Sequence, residues 1–166
     1  WGMACNTIHY LDHFSFLTNE LSFQINVDNL DSTVQKSKRR GFFEIKGKIL
    51  VTSKFGNHEM ELVDNDKNDN IFKQSIKLDN KEYLIDSVNR IINYKVSSEQ
   101  DYKSMLFESP MQSELTGKIV DSILNKKEPG LTTLEESYYL HKPMLESFNF
   151  YFSKIFKKNI SYCPIT

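Results

Sequence analysis

The chain has 166 residues and a formal net charge of −1, enough length for one domain with a hydrophobic core and no bulk charge to recruit nucleic acid or an anionic membrane. No apolar run approaches the roughly 20 residues of a membrane-spanning helix, and no cleavable signal pattern opens the sequence. The two cysteines, Cys5 and Cys163, support neither a disulfide framework nor a zinc site, so reduced thiols in a cytoplasmic protein are expected.

In chain order, residues 6–17 read as a helix: Ile8, Leu11, Phe14, Phe16 and Leu17 form an apolar stripe, with Asn6 or Thr7 available as a cap. Leu21 to Leu30 reads as a strand, with Phe23, Ile25 and Val27 alternating with polar residues. Asp31 to Arg40 is polar and basic and reads as a loop. Phe43, Ile45, Ile49 and Val51 alternate with polar neighbours, Gly56-Asn57 signals a turn, and Met60 and Leu62 resume the alternation. The polar run Asp64 to Asn70 predicts an exposed turn. Strands are expected over Ile71 to Leu78 and Glu82 to Val88, turning at Asp79-Asn80. Ile91 to Val96 reads as a weaker strand or a short helical piece.

The last third turns helical. Ser109-Pro110 predicts a helix start, Leu115, Ile119, Val120, Ile123 and Leu124 its stripe, and Pro129-Gly130 its end. Thr133 with Glu136 is a capping box opening a long helix through Phe156, with a kink expected near His141 because Pro143 lies inside. Ile160 to Cys163 reads as a closing strand. Strands in series pair antiparallel, so the expected fold is α+β: one domain over 1–166, an open, mostly antiparallel sheet with helices packed on one face.

Three groupings carry chemistry. His9 and Asp12, three apart on a helix, share a face and form a positioned acid–base pair, unless His9 packs at the helix–sheet seam and Asp12 faces water. His9, Asp12 and His13 also read as a metal-hydrolase set, although no further ligand stands nearby. Lys38, Arg39 and Arg40 match the donors that grip a phosphate or another anionic group; as a charge run they read equally as a solvated loop. No Gly-x-Gly-x-x-Gly, P-loop, Gly-x-Ser-x-Gly or paired CxxC is present.

The opening segment, Trp1-Gly2 through Ile8-His9-Tyr10-Leu11-Asp12, resembles the helix that opens the C-terminal domain of the glucose–fructose oxidoreductase / inositol dehydrogenase (Gfo/Idh/MocA) family. Its pattern there is Asp-x-Gly-x-His-x-x-Asp. Here Cys5 stands in place of the first aspartate and Thr7 in place of the glycine. Lys38 to Phe42, Gln112 to Thr116, Ser137 with His141, and Cys163 to Thr166 are similar to oxidoreductases of bacterial surface-polysaccharide pathways. The resemblance implies an NAD(P)-dependent oxidoreductase acting on a sugar or nucleotide-sugar. His9 would then be the catalytic histidine, Asp12 its orienting partner, and Asn6 a polar substitute. Lys38, Arg39 and Arg40 would hold an anionic substrate group. NAD or NADP would be bound mainly by a Rossmann domain preceding Trp1, and the sheet face would support a homo-oligomer. The chain opens without an initiator methionine, which fits an expectation of something removed upstream. The rival expectation is a non-catalytic open-sheet module for oligomerisation or ligand binding.

Overall fold

A computed structural model describes residues 2–55, 57–64, 73–108 and 110–165. Helix α1, Met3–Thr18, starts three residues earlier than its stripe implies and buries Met3, Ala4, Thr7, Leu11, Phe14 and Ser15, the i, i+4, i+7 side of the helix. Phe16 and Leu17, read as part of that stripe, instead face solvent. Thr7 reaches burial by donating its hydroxyl to the Met3 carbonyl at 2.8 Å. Asn19 ends the helix in the left-handed region, a conformation asparagine tolerates.

Strand β1, Phe23–Leu30, pairs antiparallel not with its successor but with β4, Gly47–Ser53. The excursion between them holds a short hairpin: β2, Gln35–Lys36, lies in the stretch expected as loop, and β3, Phe43–Glu44, falls where the strand alternation was expected to begin. Its neck is closed by the Asp31 amide donating to the Lys46 carbonyl at 2.9 Å. Gly47 is required there: its φ is 110°, and a Cβ would lie 2.7 Å from the Asn29 carbonyl oxygen.

From β4 the sheet is a plain meander. It runs through β5, Glu59–Asp64, β6, Lys73–Leu78, β7, Lys81–Asp86, β8, Ile91–Val96, and β9, Lys103–Leu106, giving the order β1-β4-β5-β6-β7-β8-β9 with every pair antiparallel. Ile91–Val96 is thus a strand, and β9 is an addition the sequence did not announce. The Gly56-Asn57 turn and the polar run after Asp64 lie partly or wholly outside the described residues, as do Trp1 and Ser109.

Helix α2, Gln112–Leu124, begins later and ends earlier than expected. The Glu114 carboxylate accepts from the Met111 amide at 2.7 Å at its start, and Asn125, not Pro129-Gly130, closes it. Helix α3, Leu134–Phe156, opens on the predicted Thr133–Glu136 capping box and runs on through Pro143. Ile160 to Cys163 forms no strand. It is an irregular tail, held where the Phe43 amide donates to the Pro164 carbonyl at 2.8 Å.

The fold class is therefore α+β, with an open antiparallel sheet. α1 and α3 cover one face near β1, β4 and β5. Between them Phe14, Ile49, Val51, Met60, Leu62, Leu140, Phe148 and Phe152 form the dry core. Phe43, Phe152 and Phe156 cluster beside it, with centroids 5.0–6.2 Å apart. The opposite face is a charged ladder, with Lys48–Glu61 at 2.8 Å, Lys77–Glu59 at 3.4 Å and Lys95–Glu82 at 3.5 Å. α2 buries none of its residues.

Candidate functional site

α1 turns its apolar side to the sheet, which leaves the residues between the buried positions on its outer flanks. His9 is exposed there. Asp12 does not turn back to His9. It accepts a 2.5 Å hydrogen bond from the Thr132 hydroxyl, 120 residues away in the stretch before α3. That bond ties the connection between α2 and α3 to α1 and makes one wall of a cleft of about 350 Å³. Ser15, Phe16 and Asn19 line it from the α1 side, and Gly130, Leu131 and Glu136 from the other.

The cleft is acidic and rigidly built. Glu136 accepts from the Thr133 amide at 2.7 Å and its hydroxyl at 2.8 Å, and these bonds, the amide's foremost, hold its carboxyl below the usual range. Ser15 donates to the Glu20 carbonyl at 2.5 Å, which fixes the turn out of α1. Phe16 stands at the mouth with 83 % of its surface exposed. An isolated aromatic face beside carboxylates, hydroxyls and an amide is a set that stacks on a ring's C–H side and accepts hydrogen bonds from its hydroxyls.

Of the residues singled out from the sequence, the structure brings only Asp12 into this cleft. Asn6 is spent on its own helix turn, donating to the Gly2 carbonyl at 2.8 Å. Lys38, Arg39 and Arg40 are exposed on the β2–β3 turn, where Ser37 and Phe42 close the hairpin at 2.9 Å. His9 and the three basic residues do not line this cleft, nor the two cavities beside β1 and α3. Among the described residues no three of His, Cys, Asp and Glu converge on a metal-sized site, which removes the His9, Asp12, His13 hydrolase reading. His13 lies against Gln74, and desolvation lowers its pKa despite the opposing pull of Asp12 and Gln74.

Phe16, Thr132 and Glu136 were not singled out as site residues. The visible signal was the capping box: Thr133 and Glu136 mark the start of α3, so the residues just before them had to turn beside another helix. Nothing in the sequence shows which helix. Comparisons with protein-family models, with curated proteins and with solved structures return no match to this chain.

Proposed function

We propose that this domain is a ligand-binding module whose α1–α3 cleft holds a small polyhydroxylated molecule of the sugar type. The observation that carries the reading is the joining of Asp12 to Thr132, which sets two carboxylates, a serine and an asparagine around the exposed ring of Phe16. The cleft volume falls at the lower end of the range for small-molecule sites, a size for one sugar ring. Carboxylates accept from ligand hydroxyls with charge-assisted bonds, and the ring gives a face to stack on.

The test is titration of labelled protein with neutral hexoses and with nucleotide-sugars, read by amide chemical shifts. Shifts centred on Asp12, Phe16 and Thr132 are expected, with affinity falling about tenfold in Phe16→Ala, the loss of one stacking contact. Shifts that avoid the cleft with every ligand would sink the reading.

A second reading keeps the domain as the substrate side of an NAD(P)-dependent oxidoreductase, favoured by the exposure of His9 on the same helix as Asp12, open to another domain. The residues present do not fit a dinucleotide by themselves. No Gly-x-Gly-x-x-Gly occurs in the chain, and the cleft is acidic where pyrophosphate calls for amides or arginine. Within this reading the cofactor belongs to a separate domain, and the chain contributes substrate contacts alone. Full turnover by His9→Ala in an intact enzyme would remove the histidine from any catalytic role.

A further inference from the structure

The net charge of −1 is unevenly placed. Lys36, Lys38, Arg39 and Arg40 crowd the tip of the β2–β3 hairpin, all four exposed. The tip is a built turn. The Phe42 amide donates to the Arg39 carbonyl at 3.2 Å, the Ser37 amide to the Phe42 carbonyl at 2.9 Å, and the Arg39 amide to the Ser37 hydroxyl at 3.3 Å. Gly41 takes the third place of the turn with φ 88°, as a type II turn requires, and a Cβ there would meet nothing within 4 Å. Arg40 and Gly41 are therefore the apex of a blunt projection, with Phe42, 38 % exposed, beside them. The hairpin's one acid, Glu44, has its carboxylate against Gly2.

A second basic pair stands at the base of the hairpin. The Phe43 and Phe156 ring centroids lie 5.0 Å apart, so Lys157 and Lys158, both exposed, leave α3 next to it. The bond from the Phe43 amide to the Pro164 carbonyl brings the tail alongside, with Tyr162, 70 % exposed, two residues away. Among the described residues none of these six cations forms an ion pair. With six cations gathered here, the rest of a chain of net charge −1 is acidic, and the molecule is a charge dipole whose basic end is this hairpin.

We propose that the β2–β3 tip docks on an anionic lipid surface, with the two basic clusters among the headgroups and Phe42 and Tyr162 at the interface. A flat surface accepts a blunt tip and supplies charge to both clusters at once. Each cation near an anionic leaflet is worth about fivefold in partition, and aromatic rings settle at headgroup level. The tip lines neither the α1–α3 cleft nor the two cavities beside β1 and α3, so a small phosphorylated solute would meet it from one side only. A DNA groove is the weaker partner. Strands of two residues make a ribbon of about 7 Å, short of a major groove about 8.5 Å deep.

The test is cosedimentation of the chain with vesicles of phosphatidylcholine alone and of phosphatidylcholine with about 30 % phosphatidylserine, at low ionic strength. Partition into the anionic vesicles alone is expected, falling as salt is added. Joint replacement Lys38→Ala, Arg39→Ala and Arg40→Ala should lower it about a hundredfold, the product of three such losses, and Phe42→Ala about fivefold with every charge retained. Both variants change exposed side chains, so their thermal midpoints should match the parent's. Lys48→Ala with Lys77→Ala, on the far face of the sheet, should leave partition nearly unchanged. No partition, equal partition into neutral vesicles, or undiminished partition of the triple variant or of Phe42→Ala overturns the proposal. Tighter binding to a DNA duplex than to the vesicles at equal phosphate concentration would overturn it in favour of nucleic acid.

Discussion

The Glu44 carboxylate is pressed against Gly2 at the mouth of α1, with no space there for a Cβ, and its Oε2 has no hydrogen-bond partner among the described residues. Burial raises its pKa above the usual carboxylate value. The folded state thus holds this proton more tightly than the unfolded chain does. The stability it contributes is complete below the ordinary carboxylate pKa and is lost as pH rises through the raised one. Glu44→Gln should therefore be more stable than the parent at pH 7, by about 1 kcal/mol, the scale of an unpaired polar group, and the gap should close near pH 4. Urea midpoints at the two pH values measure both. Cys163 is half-buried, its thiol pushed up to about 11 by desolvation. Its thiolate is scarce at pH 8, so alkylation by iodoacetamide should be slow in the native protein and quicken sharply in urea; mass spectrometry of the Cys163 peptide reads it. Such effects belong to contacts between residues far apart in sequence, and so does the binding of Asp12 to Thr132 across 120 residues. The His9–Asp12 spacing was legible, but where each side chain would turn was not. Helical spacing defines a shared face and says nothing of a loop that arrives from elsewhere to claim one member.

At the scale of elements, alternation and caps carried most of the information. The period-2 runs became β1, β4 and β5, the strands expected after them became β6 and β7, Ile91–Val96, read as a weaker strand or a helical piece, became β8, and Thr133–Glu136 opened α3 where expected. The failures share a cause. β2 and β9 have two and four residues, too few to show a period, and exist because a neighbouring strand supplies their hydrogen bonds. The tail after α3 has strand-like residues but joins no strand; the Phe43 amide donates to its Pro164 carbonyl. It settles as irregular chain over the Phe43 cluster. α3 runs through Pro143 as expected, with Leu140, Met144 and Phe148, all fully or nearly fully buried, anchoring both sides of it. The lost hydrogen bond and ring clash remain as a local penalty. Pro143→Ala is expected to raise stability by about 1–3 kcal/mol, measured as the shift in the denaturation midpoint at constant m-value.

The whole molecule is unevenly consolidated. Every residue of β9 is exposed, those of β8 are only half-buried, and α2 buries none, while β4 and β5 alternate fully buried residues under the helices. Amide exchange should follow that gradient, slowest in β4 and β5 and fastest in β9 and α2, through openings that leave the core intact. Equal protection along the meander, read by exchange mass spectrometry, would show that β7 to β9 are covered in solution. The surface ion pairs Lys48–Glu61, Lys77–Glu59 and Lys95–Glu82 contribute little to either end, since exposed pairs are worth about 0–1 kcal/mol each and salt screens them.

The meander also sets an order of assembly. From β4 to β9 each strand lies against its chain neighbour, so hairpins zip with short loop closures and little entropic resistance. α3 must travel: it seats on β1, more than a hundred positions earlier, and Phe148 and Phe152 arrive only with it. During synthesis the sheet's apolar side therefore has α1 as its cover until α3 emerges, and the area left open over β1 and β4 in that interval is the aggregation-prone surface.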